Sequence, residues 1–333
     1  MQRYVIVMLA GVLLGCHGPR SGSGVPTIRI AVHRDPIAFL PVRVAETLGF
    51  YRQEGVAVEL SDVAGGTKAI EALLGGSVDV AVGSMSDVVA LAGRGRQIRG
   101  FFVLYTRPTA ALAVAPALSG SIRTVRDLKG HTVGVTAAGS ATHQILNFLL
   151  VKNGLSPDDV STLAVGMSAG SVAALEHGKV DAAVLLASAI FMYEHRQPAT
   201  RLIADTRTPA GARQVFGSET FPSLSLLAPD RWLQENPDTA RRLVRALARG
   251  LRWVHDQPAE RVRDMIPPET RMPVPDADLE AIRAAQSAMS PDGLMPAGAA
   301  ELIERFVAVS DARVRAARLD PARTYTNEFA APK

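Results

Sequence analysis

Small and hydroxyl-bearing residues separate predicted strands from predicted helices at two places where a negatively charged ligand would be well placed. Residues 138–142 (AGSAT) precede one helix and residues 84–86 (SMS) precede another. Small side chains let a ligand approach backbone N–H groups, a helix N-terminus carries partial positive charge, and hydroxyls donate hydrogen bonds, which suits a sulfonate, carboxylate or phosphate. The alternative is that the polar side chains only cap their own helices. The candidate caps are Ser140 or Thr142 in the first segment and Ser86 or Asp87 in the second.

Further candidates lie in the other loops that follow predicted strands, because ligands of parallel α/β sheets bind outside the carboxyl ends of the strands. Residues 65–67 (GGT) and 186–188 occupy such loops, and so do residues 33–35, which we interpret as solvated loop charges. Phe39 either walls an apolar part of a ligand or packs as a staple beside a helix start. The predicted ligand-binding residues are Phe39, Gly66, Thr67, Ser84, Met85, Ser86, Gly139, Ser140, Ala141, Thr142, Ala187 and Ser188.

A possible catalytic motif occurs at residues 166–170 (GMSAG), which match the G-x-S-x-G pattern of a hydrolase nucleophile on a strand–turn–helix. Two observations disfavour this role for Ser168. No oxyanion-type segment precedes it, and the internal repeat described next places Gly66 at the equivalent position. The seven histidines are scattered without an i,i+4 pair, so no metal site is indicated. We predict no catalytic residue, no metal and no cofactor.

A repeated cassette indicates how these loops are positioned. Residues 72–82 (ALLGGSVDVAV) and 174–184 (ALEHGKVDAAV) lie 102 residues apart, and each combines a helix end at glycine, a turn at aspartate and a buried strand. Each copy sits within a longer pattern of alternating strands and helices, which is typical of parallel sheets with right-handed crossovers. The chain is therefore predicted to be an α/β protein with two related halves and a cleft between them. Asp79 and Asp181 are interpreted as structural turn residues.

The order of the elements predicts an inserted lobe. Residues 27–106 and 206–333 form one lobe, which includes a helical tail from Asp230 onwards, and residues 107–205 form the other. The hinge strands are expected near residues 105–107 and 204–207.

The N-terminus reads as an export signal. Residues 1–15 combine a basic start with a short apolar run, as in a secretory signal peptide. Residues 13–16 (LLGC) resemble the bacterial lipobox, which implies lipidation of Cys16 and a Gly/Ser-rich tether at 16–26. The alternative is an ordinary signal followed by a chance cysteine. The predicted location is extracytoplasmic, in the periplasm or at the cell surface, with a membrane anchor.

Composition narrows the range of partners. The net charge is +4, and no run of lysines and arginines interleaved with aromatic residues accompanies it, so nucleic-acid binding is not expected. We expect a monomer with a small-molecule ligand.

Several segments together resemble one protein family. Residues 39–58 (FLPVRVAETLGFYRQEGVAV), the GGT at 65–67 and the GSVD at 76–79 resemble the first lobe of the periplasmic substrate-binding proteins of nitrate, sulfonate and taurine ABC importers. Residues 125–135 (VRDLKGHTVGV), 154–160 (GLSPDDV) and 178–182 (GKVDA) resemble the second lobe. The resemblance covers roughly residues 27–255.

The resemblance implies a type II periplasmic-binding-protein fold, in which two Rossmann-like lobes close on a ligand about a hinge. It implies a non-enzymatic protein that captures a small anionic organic solute and delivers it to the membrane subunits of an ABC permease. Three alternatives remain open: a binder of a thiamine-precursor pyrimidine, an enzyme on the same fold (a pyrimidine synthase or a chorismate dehydratase), and a serine esterase that uses Ser168. The partner can also be a sensor rather than a permease.

Overall fold

A computed structural model describes residues 25–330 except residues 34 and 36. The predicted signal peptide and Cys16 lie outside the described residues, as does most of the predicted tether.

The described chain alternates strands and helices through its first two thirds and is helical afterwards. The strands are β1 (Thr27–His33), β2 (Ala57–Val63), β3 (Val80–Ser84), β4 (Ile98–Val103), β5 (Ala110–Val114), β6 (Thr132–Val135), β7 (Ser161–Ala164), β8 (Ala182–Leu186), β9 (Leu202–Asp205) and β10 (Leu224–Pro229). The helices up to β10 are α1 (Leu40–Thr47), α2 (Phe50–Gln53), α3 (Gly66–Leu74), α4 (Met85–Ala92), α5 (Ala141–Lys152), α6 (Ala169–Glu176), α7 (Ala187–Arg196) and α8 (Pro209–Phe216). The helices after β10 are α9 (Asp230–Glu235), α10 (Pro237–Asp256), α11 (Ala259–Asp264), α12 (Pro275–Ala288), α13 (Ala299–Ser310) and α14 (Ala312–Ala317).

The strands form two five-stranded sheets with the same layout. The first has the order β2-β1-β3-β10-β4 and the second has the order β7-β6-β8-β5-β9. Three neighbouring strands in each sheet are parallel, whereas β10 and β5 run antiparallel to both of their neighbours. The described residues thus form two α/β lobes, as the repeated cassette predicts.

The sheets are mixed, which corrects the expectation of parallel sheets. The chain leaves the first sheet after β4 and enters the second as β5, and it returns from β9 to the first sheet as β10. In each sheet the strand that follows a crossing inserts antiparallel between two other strands. A pattern of strands and helices predicts the parallel units but carries no signal for a strand that arrives from another lobe.

The two cassette aspartates fix the parallel pairing in each lobe, and their predicted structural role is confirmed. The Asp79 carboxylate accepts a hydrogen bond from the Arg29 backbone N–H at 2.9 Å, and the Asp181 carboxylate accepts one from Thr132 N–H at 2.8 Å. In return the aspartate N–H groups donate to the carbonyls of Arg29 and Thr132, at 2.9 and 2.8 Å. Each aspartate therefore clamps the start of a strand to its parallel neighbour.

The helices after β10 pack on both lobes. Helix α10 lies against α1 of the first lobe, where Gly250 allows contact because a Cβ there would clash with the Pro41 carbonyl oxygen. Helix α12 packs on α7, and α13 packs on both α4 and α5. Phe306 of α13 packs against Phe148 of α5 with ring centroids 4.8 Å apart. The helical tail thus contacts elements that surround both sheets.

We expect Asp79→Ala to lower the free energy of unfolding by about 1–3 kcal/mol, because it leaves the Arg29 N–H at a strand edge without its acceptor. Burial by itself raises the pKa of Asp79, but hydrogen bonds from the Arg29 side chain and backbone outweigh it and the net pKa is lowered. The stabilisation is therefore present above the unfolded-state pKa of about 4 and is lost as the pH falls below it.

Urea unfolding at pH 7 and pH 3 checks this prediction. The control is Asp158→Ala at an exposed carboxylate, which should change stability by less than about 0.5 kcal/mol. Equal losses in the two variants would contradict the clamp.

Candidate functional site

A mostly apolar cavity lies between the lobes, at the carboxyl ends of the parallel strands of both sheets. The first lobe contributes His33 and Ser84 from the ends of β1 and β3, and the second contributes Thr136 just after β6 and Leu186 at the end of β8. Arg107, on the segment that crosses between lobes, also lines it. The cavity has a volume of about 110 Å³. This position agrees with the rule that ligands of open α/β sheets bind beyond the strand ends.

The structure brings seven of the predicted site residues to the cavity wall. They are Gly66, Ser84, Ser86, Ser140, Ala141, Thr142 and Ala187. The other five do not line it: Phe39, Thr67, Met85, Gly139 and Ser188.

Burial explains why most of these five residues do not line the cavity. Phe39 and Met85 are fully buried in the first lobe, and the Phe39 ring packs 4.8 Å from the His33 ring. Ser188 is buried beside the cavity and bonds across the lobes, whereas Gly139 is exposed. Of the two interpretations of Phe39, the packed aromatic is the one that the structure shows.

Three hydroxyls form a closed triangle at the start of α5. The Oγ atoms of Thr136, Ser140 and Thr142 are each 2.9 Å from the other two. Ser140 is the N-cap of α5, and its Oγ accepts from His143 N–H at 3.4 Å. The three hydroxyls line the cavity together, so the cap and the site share the same residues.

A second hydroxyl pair lies at the start of α4 in the first lobe. Ser84 Oγ and Ser86 Oγ are 2.9 Å apart, and Ser84 Oγ accepts from Ser86 N–H at 3.3 Å. Ser84 is therefore the N-cap, and the predicted caps Ser86 and Asp87 lie inside the first turn. The helix starts earlier than predicted because β3 runs into it without an intervening loop.

Two titratable side chains flank Gly66 at the cavity. A Cβ at Gly66 would lie 3.5 Å from His33 Nε2 and 3.8 Å from Asp87 Oδ2. Burial lowers the pKa of His33 to about 4, so the imidazole is neutral at pH 7, and its buried Nε2 has no hydrogen-bond partner among the described residues. Burial raises the pKa of Asp87 to about 6, although hydrogen bonds from Gln144 and Ser84 and the charge of Arg94 oppose the shift.

Side chains of the two lobes bond directly across the cleft. Gln144 of α5 donates from Nε2 to Asp87 Oδ1 at 3.0 Å, and the Ser188 hydroxyl donates to Asp35 Oδ2. Asp35 Oδ1 in turn accepts from the N–H groups of Ile37 and Ala38, at 2.9 and 3.1 Å. Two carboxylates of the first lobe thus accept hydrogen bonds from the second, and the lobes are in contact.

Ser168 has the strained backbone of a sharp strand–helix turn but lacks the partner of a nucleophile. Its φ of 52° and ψ of −125° are sparsely populated for a residue with a side chain. The Oγ lies 3.5 Å from Ser188 Oγ, and no histidine of the described chain bonds to it. The turn therefore directs the hydroxyl toward the Ser188–Asp35 contact.

Several residues of the wall were missed from the sequence. From the sequence we interpret His33 and Asp35 as solvated, yet the structure leaves them only 8% and 4% exposed. Their position at the carboxyl end of β1 was the available signal. Arg107, Tyr105 and Thr136 follow strands or crossing segments without a distinctive motif.

The described residues contain no group of three or more His, Cys, Asp or Glu side chains placed to hold a metal ion. None of the helices in the described ranges is both long enough and apolar enough to span a membrane.

Two similar lobes, a cleft at the strand ends and crossing segments between the lobes define a protein of the periplasmic-binding-protein fold. The sequence profile described as "NMT1/THI5 like" matches residues 37–261, and the chain belongs to that family. A solved protein from Bordetella bronchiseptica RB50 is 34% identical, with a TM-score of 0.86 over 91% of this chain and 95% of that one. The family predicted from the sequence is confirmed, and so is the fold.

More distant relatives differ in what their names describe. The alkanesulfonate-binding protein SsuA from Xanthomonas axonopodis pv. citri, solved with MOPS, shares the fold at 20% identity and a TM-score of 0.68, over 91% of this chain and 96% of that one. YtlA of Bacillus subtilis (strain 168) is 23% identical over 84% of this chain and 82% of its own length. The 4-amino-5-hydroxymethyl-2-methylpyrimidine phosphate synthase of Schizosaccharomyces pombe is 24% identical over 62% of this chain and 59% of its own length.

The lowered pKa of His33 predicts that acid lowers the stability of the wild type through this group and that His33→Gln removes this loss. Folded His33 stays neutral down to about pH 4, whereas it is protonated below about pH 6.5 once unfolded, so acid destabilises the wild type through this group by up to about 3 kcal/mol. The stability of His33→Gln relative to the wild type should therefore rise as the pH falls from 6.5 to 4.

Asp87→Asn is the matched variant, and its predicted change of stability with pH has the opposite sign. Folded Asp87 takes up its proton near pH 6 and the unfolded group near pH 4, so this carboxyl adds stability as the pH falls through that range. The stability of Asp87→Asn relative to the wild type should fall over the same range. Urea unfolding at pH 7.5 and pH 4.5 measures both, and parallel pH profiles for all three proteins would contradict the assignments.

Proposed function

We propose that the protein is an extracytoplasmic solute-binding protein that captures a small anionic organic solute between its lobes and delivers it to an ABC permease. The observation that carries the proposal is the cavity at the facing strand ends of two lobes, which are joined by two crossing segments and by hydrogen bonds across the cleft. The family and the binding proteins that share the fold support it.

The hinge lies in the two crossing segments in this proposal. Residues 104–109 and 206–223 run side by side, with Phe221 N–H bonded to the Thr106 carbonyl at 2.6 Å and Ser223 N–H bonded to the Tyr105 carbonyl at 2.9 Å. Rotation about these segments would separate Gln144 from Asp87 and Ser188 from Asp35. Solute that contacts both lobes favours the closed arrangement by its differential affinity for it.

The cavity wall supports a ligand with a polar head and a small apolar body. Hydroxyls from both lobes supply donors, while Ile145, Phe221 and Phe306 supply apolar surface. The three hydroxyls beside the α5 N-terminus suit polar groups of such a solute, which an O–H can bond when it turns from the triangle toward the solute.

Export and anchoring belong to the same proposal. A signal at residues 1–15 and a lipidated Cys16 would hold the protein beside the membrane in which a permease lies. Residues 27–106 and 206–333 would then form one half of the binding unit, and the inserted lobe, residues 107–205, would form the other.

An enzyme or pyrimidine binder on this fold is the second candidate, because the chain is 20–25% identical to proteins named as pyrimidine phosphate synthases. The esterase alternative has the strained turn at Ser168 in its favour, but the nearest described hydroxyl partner of that serine is Ser188. Replacing Ser168 by alanine in an esterase assay separates the two roles: binding is retained, and any hydrolysis that persists is not due to this serine.

A thermal-shift screen of the chain from residue 17 onwards tests the function. We expect sulfonates or carboxylates to raise the melting temperature, since a solute at 100 times its Kd stabilises the fold by about 2.7 kcal/mol. Nitrate and pyrimidines are screened in parallel. Stabilisation by a pyrimidine alone would support the second candidate, and the absence of any stabilising solute would contradict the proposal.

A double variant, Gln144→Ala with Ser188→Ala, tests the contacts across the cleft. It removes both hydrogen bonds from the second lobe to Asp87 and Asp35, so the ligand-free chain should open and its radius of gyration in small-angle scattering should increase. The control is Gln234→Ala at an exposed position on the first lobe, which should leave the scattering curve unchanged. A double variant as compact as the wild type would show that these bonds do not hold the lobes together.

A further inference from the structure

Arg107 is a buried cation on the wall of the cleft. It follows Thr106 on the first crossing segment between the sheets, and only 6% of its surface is exposed. It lines the cavity together with residues of both lobes.

The hydrogen bonds of Arg107 leave part of its guanidinium unused. Nε donates to the Arg207 carbonyl at 3.2 Å, and Nη2 donates to the carbonyl and hydroxyl of Ser287 at 2.7 and 2.8 Å. Nε carries one N–H group and each Nη carries two, so the two on Nη1 remain. Within the described ranges they have no hydrogen-bond partner, and no carboxylate forms an ion pair with Arg107.

A neighbouring arginine shows how this protein treats a buried cation that only supports the fold. Arg207, on the second crossing segment, bonds to Glu194 and Asp205 at 2.7 Å each. Burial opposes its charge, but these two carboxylates more than compensate, and its pKa is raised. Burial lowers the pKa of Arg107, and Glu219 offsets only part of the effect. All of the acceptors described for Arg107 are neutral.

A buried charge without a counter-charge is unfavourable, and neutral acceptors or water satisfy its hydrogen bonds but not its charge. We propose that Arg107, through Nη1, supplies the counter-charge for an oxyanion group of the bound solute, such as a sulfonate or carboxylate. The proposal rests on the proposed function and deepens it. It places the charge of the solute at the hinge side of the cleft and leaves the hydroxyls at α4 and α5 as neutral donors.

A purely structural role makes a different prediction. Arg107 also ties the crossing segment to Ser287 of α12 and to Arg207, so its loss would lower stability even if no ligand touched it. That loss would weaken all solutes alike. A counter-charge instead determines which of two solutes of the same shape binds.

The test measures that preference by calorimetry on the full chain in detergent. The probes are butanesulfonate against butyl methyl sulfone and benzoate against benzamide, each an anion with a neutral counterpart. The wild type should bind at least one anion more than 10-fold tighter than its counterpart. In Arg107→Gln the affinity for that anion should fall about 100-fold, with the neutral solute changed by less than about 2-fold. Arg252→Gln, at an exposed position, is the charge-matched control.

Three results would overturn the proposal: a preference for the anion that survives in Arg107→Gln, a wild type that does not prefer either anion, or equal losses for anion and neutral solute. Binding of neutral solutes alone would overturn the role of Arg107 and leave the solute-binding function standing. A wild type that binds none of the screened solutes would contradict both. If Arg107→Gln does not fold, ¹⁵N spectra of the wild type decide, with the Arg107 Nε signal assigned from Arg107→Lys. A bound anion should shift that signal, and an unmoved signal overturns the proposal.

Discussion

In each lobe an aspartate carboxylate accepts a hydrogen bond from the backbone of the middle one of the three parallel strands, and the rest of the architecture depends on the parallel pairing that this bond fixes. Asp79 holds β3 beside β1, and Asp181 holds β8 beside β6. Because these clamps sit at the amino ends of the strands, the carboxyl ends and the loops that follow them lie at the opposite edge. In both lobes that edge faces the other lobe, and the cavity lies where the two edges meet.

The crossing segments connect the two lobes and bring further residues to the cavity. The chain crosses from the first lobe to the second before β5 and back before β10, so the lobes are linked by two segments rather than one. Those segments bring Tyr105 and Arg107 to the cavity, while the hydroxyls come from the strand ends of the lobes. The site is therefore assembled from the first lobe, the second lobe and the crossing segments. It is complete only when the lobes are in contact, and the proposed function uses this dependence to couple solute binding to closure.

The sequence predicted the parts of the molecule that obey local rules. The repeated cassette predicted two related lobes and the role of its aspartates, and the small-residue loop at Ser140 predicted a wall of the cavity. The antiparallel strands β5 and β10 escaped prediction because their neighbours are set by the crossings and not by local periodicity. His33, Asp35 and Arg107 escaped prediction because the local sequence around a titratable residue does not show whether solvent or a second lobe surrounds it. The family resemblance identified the class of protein. That no carboxylate of the described residues pairs with the Arg107 guanidinium could be seen only in the structure.

The most direct test of the account is the distance between the lobes with and without a bound solute. Leu74 and Leu163 are exposed, one on each lobe, and cysteines placed there in a chain with Cys16 replaced by serine can carry spin labels for pulsed electron resonance. A solute that binds in the cleft should convert a broad distribution of label distances into a narrow one at the value of the closed structure. A solute that binds with measurable affinity and leaves the distribution unchanged would contradict the account.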